Sequence, residues 1–202
     1  MELHEAIRRR AMVRSFSADP VDPAVVDRVL LAALRSPTAG HTRGTDWVVL
    51  EGPEQTAVYF DTTTDERWRR DYKQWSDGLA RAPVVLLAYT SPAAYVTRYA
   101  EADKAEAGLG TGEDAWPVPY WIGDAAFGVM AVLLGAVDAG LGACILGTFR
   151  GEAELARRLR VPEERRLFCA VVLGRPDGRD RRSTSLDRAG PSRRARIHRA
   201  GW

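Results

Sequence analysis

The sequence predicts an α+β layout built around one central helix. Three observations carry this. Four short apolar runs read as strands: Trp47–Glu51, Pro83–Tyr89, Ala143–Leu146 and Leu167–Gly174. Six or so helical stretches separate them. Finally, Ile122–Ala139 is apolar nearly all round, the pattern of a helix covered on every side. With 202 residues and 46% hydrophobic content, the chain fits one domain with a sizeable core.

The elements follow in order. Leu3, Ala6 and Ile7 mark a first amphipathic helix. Asp22 reads as an N-cap with Pro23 at the first helical position. Val25, Val26, Val29, Leu30, Ala33 and Leu34 form the apolar face of that second helix. Trp47–Glu51 is a strand stopped by Gly52-Pro53, and residues 61–78 are polar with Trp68, Tyr72 and Trp75 among charges. Pro83–Tyr89 is fully apolar. Residues 91–121 hold no continuous pattern: Ala93–Ala102 suits a helix, Gly108–Gly112 a turn, and W-P-V-P-Y-W closes the section. Gly140-Leu141-Gly142 ends the central helix. Glu152–Leu159 is a helix stopped before Pro162, and Arg175-Pro176 leaves the last strand.

Composition excludes several classes. The 29 basic and 27 acidic residues nearly balance, which is not the profile of a polyelectrolyte binder. From Arg175 onward nine arginines face three aspartates, but no aromatic residue interleaves them before Trp202, so base stacking has no platform and nucleic acid is not expected. Cys144 and Cys169 sit in apolar runs and read as small buried hydrophobes, without metal-ligand spacing or a disulfide framework. No apolar signal core opens the chain, and the apolar run between Asp124 and Asp138 is shorter than the ~20 residues of a membrane span. A cytoplasmic protein is expected.

The chemistry narrows by elimination. The histidines are His4, His41 and His198, and neither cysteine has the basic, open setting of a nucleophile. No His-Glu-x-x-His pair or phosphate loop occurs, so no metal is expected. What remains is a chain that positions a cofactor. Two segments suit that task. Ala6–Phe16 ends a short helix in guanidinium groups, which offer forked donors to phosphate oxygens. Arg35–Gly44, R-S-P-T-A-G-H-T-R-G, is a turn of small residues that lets a flat ring approach the backbone.

Five features, taken in order, resemble the FMN-dependent nitroreductase family. They are I-R-R-R-A-M-V-R-S-F; S-P-T-A-G-H-T-R-G-T-D-W-V-V-L; A-P-V-V-L-L-A; the long helix with its Gly-Leu-Gly turn; and V-V-L-G-R-P with the arginine tail behind it. The resemblance spans almost the whole chain and is weakest over 55–120. It implies a single flavin-binding domain over 1–202, with 55–120 as a variable substrate or lid section. The implied fold is a central, mostly antiparallel sheet flanked by helices, with a long buried dimer helix. An obligate homodimer carrying FMN at each subunit boundary follows.

The resemblance also assigns residues. Arg10 falls at the phosphate, with Ala11 and Met12 beside it, and Arg14 at either the phosphate or the N1/O2 edge of the ring. Ser36, Pro37, Thr38, Ala39 and Gly40 border the ring, and the backbone of Leu146 and Gly147 lies near flavin N5. No side chain is implied as catalytic, since the chemistry belongs to the flavin. Arg193 and Arg194 match the tail that reaches the phosphate, with Arg181 and Arg182 the rival pair. Met12 stands where many relatives have serine, and His41, Arg43 and Gly44 stand where the common turn has Asn, Gln and Pro.

The implied activity is hydride transfer from a visiting NAD(P)H to a small acceptor. Alternatives are a flavin-dependent dehydrogenase or oxidase of a biosynthetic intermediate, and a flavin-binding protein without catalysis. For the acceptor the residues suggest an aromatic, quinone or nitro compound. Pro117 and Pro119 stiffen the Trp116–Trp121 loop, so Trp116 and Tyr120 are expected to wall the ring, with Arg43 and His41 as polar partners.

Overall fold

Asp22 caps the second helix as expected, accepting from the Ala24 N–H with Pro23 in the first turn. In the computed structural model, which describes residues 1–180 and 198–200, the helices are α1 (Leu3–Arg9), α2 (Pro23–Ala33), α3 (Gly52–Thr63), α4 (Glu66–Asp71), α5 (Lys73–Ala80), α6 (Pro92–Tyr99), α7 (Tyr120–Asp138) and α8 (Glu152–Leu159). The strands are β1 (Thr45–Glu51), β2 (Val84–Thr90), β3 (Gly142–Leu146) and β4 (Arg166–Gly174), in sheet order β1-β2-β4-β3. All three pairings are antiparallel. The four expected strands are present, each within two residues of its expected ends.

The sheet is covered on both faces, which is why β2 and β4 read as unbroken apolar runs rather than alternating ones. Val84, Leu86 and Ala88 point to one side with Val171 and Leu173, under α2 and α7. Val85, Leu87 and Tyr89 point to the other with Ala170 and Val172, under α3, α5 and α8. Cys169 belongs to the first layer and Cys144 to the second.

Three helices escaped the sequence reading. Gly52-Pro53 ends β1 but also opens α3, because proline suits a first helical turn; Thr56, Tyr59 and Phe60 then bury its inner face. The aromatics of 61–78 lie on α4, α5 and their junction. There Trp68, Tyr72 and Trp75 form a ladder with ring centroids 6.1 and 6.0 Å apart.

Within one chain the central helix is covered on one face only. Trp121, Asp124, Ala125, Gly128, Val129, Val132, Leu133 and Ala136 are buried against α2 and the sheet. Ile122, Phe127 and Met130 are 43, 54 and 40% exposed. One face is therefore core and the other is an uncovered apolar stripe. Its 19 residues and mean hydropathy of 1.6 also meet the length and composition of a membrane span, which the sequence count had placed short; the buried stripe shows that this face belongs to the protein core.

Candidate functional site

The Arg-rich start is held at the β3 edge of the sheet. Met12 bridges Ala143 in parallel register, and the Val13 N–H donates to Ala143 O at 2.9 Å. Phe16 is fully buried and pairs with Pro176. The Arg81 guanidinium donates to Phe16 O, the Ser15 hydroxyl and Asp177 at 3.0–3.1 Å. Gly78 is obligatory beneath this segment, because a Cβ there would collide with Arg14 O. Residues 12–17 thus run from the edge of β3 to the exit of β4.

Two guanidinium groups behave differently on this edge. Arg14 is engaged: Nη1 donates to Met12 O at 3.1 Å, and the group lies 5.4 Å above the Trp75 ring, a cation–π contact. Arg10 is not. Its Nη1 is buried with no hydrogen-bond partner among the described residues. A buried charged donor without a partner is costly, so this atom marks a place where an anion fits. A phosphate at this edge would satisfy it.

Met12, a departure from the family pattern, packs its side chain between both core layers, and Ala11 is exposed. Neither side chain offers a polar atom, so only the backbone there can meet a cofactor. Leu146 ends β3, and Leu146 and Gly147 open on a cavity of about 310 Å³ walled by Tyr59, Phe60, Trp68 and Phe149. Arg193, Arg194, Arg181 and Arg182 lie outside the described residues.

The small-residue turn sits at the same end of the sheet as Leu146 but at the opposite edge. Through the registered pairs, Leu146 is level with Ala170, Leu87 and Val48. Three strand spacings, roughly 14 Å, separate the β3 edge from β1. Ser36, Thr38, His41, Arg43, Trp47 and Asp124 line a second cavity there, of about 500 Å³. Thr45 Oγ1, at its rim, is buried without a partner among the described residues.

Gly40 and His41 are both left-handed, with φ of 61 and 58°. Glycine adopts this freely, but His41 carries a strain of about 1 kcal/mol or more. The turn is anchored from two sides. The Ala39 N–H donates to Asp124 Oδ2 at 2.7 Å, and the same oxygen accepts from the Tyr95 hydroxyl at 2.8 Å. Burial, then the neighbouring Asp124, pushes the Tyr95 hydroxyl well above its ordinary value. Gly40 O accepts from Arg98 Nε at 2.9 Å.

The aromatic loop is not a loop throughout. Tyr120 and Trp121 start α7, because Pro119 occupies its N-cap position. Trp116 is 7% exposed, packs edge-on against Tyr95, Tyr99, Tyr120 and Trp121, and donates its indole N–H to Leu109 O. It lines neither cavity, so the expectation that it faces a ligand is replaced by a packing role. Tyr120, 45% exposed, keeps a free face. The thiols are inert by burial, which lifts Cys144 to about 11 and Cys169 to about 12. No group of three or more potential metal ligands occurs among the described residues.

Asp124 was legible as a lone acid inside an apolar helix, a signal of a buried carboxylate with work to do. Arg98 and Tyr95 carried no such sign.

The chain is similar to several known proteins. Rat (Rattus norvegicus) iodotyrosine deiodinase 1 is 28% identical over 104 residues, covering 44% of this chain and 36% of that protein. The chain thus aligns with only about a third of that curated relative. The nitroreductase CinD of Lactococcus lactis, solved with chloramphenicol, superposes with a TM-score of 0.70 at 16% identity, covering 93% of this chain and 97% of that one. A nitroreductase-type protein of Desulfovibrio desulfuricans, solved with FMN, gives 0.63 at 19% identity over 92% and 94%. The model of the Nitroreductase family matches residues 7–175, from the first arginines to the exit of β4, and the chain belongs to that family.

Proposed function

We propose that the protein is an FMN-dependent oxidoreductase, acting as a homodimer, that moves electrons from NAD(P)H to a small aromatic, quinone-like or nitro acceptor. The observation that carries this reading is the Arg10 Nη1 on the β3 edge, buried and without a hydrogen-bond partner among the described residues. FMN, when bound, takes up and gives back a hydride at N5. Arg10 would hold its phosphate, and Arg14 would place positive charge near the phosphate or the ring, which favours an electron-rich reduced ring. Backbone at Leu146 and Gly147 would border N5.

The Arg-rich start and the small-residue turn lie at opposite edges of one sheet, and the turn lines the larger cavity described above. They meet if the turn comes from a second copy. The uncovered stripe of Ile122, Phe127 and Met130 supports that arrangement, since exposed apolar patches mark interaction surfaces. His41, Arg43 and Tyr120 are the proposed acceptor contacts. An aromatic acceptor agrees with the chloramphenicol complex of CinD and with the deiodinase likeness.

The test is direct. Cofactor released by heat from the purified protein should chromatograph as FMN, and light scattering should report twice the 22.3 kDa chain mass. FAD, no flavin, or a monomer would overturn the reading. NAD(P)H oxidation should then depend on a nitroaromatic or quinone.

A further inference from the structure

Residues 91–116, within the 55–120 section where the resemblance is weakest, hold the small-residue turn from behind. Arg98 donates to Gly40 O, and its remaining nitrogens are fixed by Glu101 at 2.8 Å and by a two-pronged pair with Asp103 at 2.7 Å. Tyr95, fully buried, reaches Asp124, which takes the Ala39 N–H. The two peptide groups of the turn are thus gripped from opposite sides, the N–H by a carboxylate and the C=O by a guanidinium. Both are charge-assisted bonds, stronger than neutral ones.

Sterics reinforce the grip. A Cβ on Gly40 would come within 2.8 Å of Tyr99 Cε2, and one on Gly44 would collide with Tyr95. Gly110 tucks under Ala100, where a Cβ would lie 2.5 Å from its backbone nitrogen. Trp116 closes the block against Tyr95 and Tyr99. This is far more structure than a turn needs merely to reach β1, and it stabilises a strained left-handed residue, His41.

We propose that α6 and the turns that follow it, together with Asp124 of α7, form a brace whose Arg98 and Asp124 are positioning residues: they preset the Thr38–Thr42 backbone against which the flavin ring would lie. The proposal rests on the FMN reading for its purpose. Neither residue is assigned to touch the reacting atoms; each acts through the turn.

Four full-length proteins decide it: wild type, Asp124→Asn, Arg98→Lys and Glu113→Gln. Arg98→Lys keeps a cation for Glu101 and Asp103 but loses the planar Nε–H toward Gly40. Glu113→Gln weakens the pairing with Arg166, a contact of the same section remote from the turn, and so measures general loosening. Amide hydrogen exchange across residues 38–42 should accelerate about tenfold in Asp124→Asn and in Arg98→Lys, the worth of one charged hydrogen bond, and stay at the wild-type rate in Glu113→Gln. In flavin-loaded protein the first two should also shift the flavin's visible circular dichroism and its midpoint potential, which a merely structural contact would leave alone. Wild-type exchange in both turn variants overturns the brace, as does an equal change in Glu113→Gln. FMN titration of the wild type is read separately: a wild type that binds none refutes the flavin reading, while exchange still decides the brace.

Discussion

The β3 edge and the Ser36–Gly40 turn belong to one proposed site, yet they are in opposite states of completion. At the β3 edge a guanidinium nitrogen is buried with nothing to bind among the described residues. At the turn, the Ala39 N–H, the Gly40 carbonyl, and the Asp124 and Tyr95 groups behind them are all paired. The first half has its charge in place before its ligand arrives; the second has its shape in place. Electrostatic pull and steric fit are thereby assigned to different edges of the sheet, which the proposed second copy would bring together.

That division can be broken most completely at α7. Phe127→Glu with Met130→Glu puts two charges on the uncovered stripe. Because both positions are exposed in one chain, the fold should survive by circular dichroism. Light scattering should fall to the 22.3 kDa chain mass, and bound FMN should disappear. A dimer that keeps its flavin would show that the two halves do not meet there.

Removing the attraction alone comes next. Arg10→Ala should raise the FMN dissociation constant about 10- to 100-fold, as expected for a charged hydrogen bond of roughly 1.5–3 kcal/mol. Arg35→Ala, on an exposed residue just beyond α2, should leave it unchanged. Fluorescence titration separates the two. Equal losses would mean that diffuse charge, not the β3 edge, recruits the phosphate.

Disturbing the shape should cost less affinity and more stability. Gly40→Ala forces a side chain into φ 61° and toward the Tyr99 ring, a strain of about 1–3 kcal/mol. Thermal unfolding should shift down by several degrees, while FMN binding weakens less than in Arg10→Ala. If the binding loss is the larger of the two effects, the turn supplies attraction as well as fit.

The smallest effect sharpens how the β3 edge is tied down. Burial of the Asp177 carboxyl works to raise its pKa from the ordinary 3.8, but bonds from the Arg179 N–H, Ser15 and Arg81 outweigh it and the net shift is downward. A carboxylate depressed in the folded state stabilises at pH above 3.8 and loses that contribution as pH falls through its lower folded value. Arg81 is 39% exposed, so the pair is worth less than about 1 kcal/mol. Acid titration of Asp177→Asn should show a shallower loss of stability below pH 3.8 than wild type; an unchanged slope would remove Asp177 from the lock.

Much of the fold was legible because its signals are local. The strands announced themselves as apolar runs, and Asp22-Pro23 set the start of α2 through its own side chain. What was missed depends on partners distant in sequence. Pro53 both stops a strand and starts a helix, and only the sheet beneath Tyr59 and Phe60 tells which reading governs. The cover expected for α7 is only half supplied within one chain, because an all-apolar helix says that both faces need cover, not that one chain supplies it. Within the site, the Arg-rich start and the small-residue turn stood out by composition. Arg98 did not, because an arginine next to acids looks the same whether it solvates a surface or grips a carbonyl 58 positions away.

The two cysteines turn this layered build into its own clock. Cys169 lies in the layer under α2 and α7, and Cys144 in the layer under α3, α5 and α8, and burial keeps both as protonated thiols. A thiol reagent can modify either one only in molecules that have opened on that side. Their separate labelling rates therefore time the opening of each layer without any added probe, and a second copy seated on α7 would slow Cys169 while leaving Cys144 at its own pace.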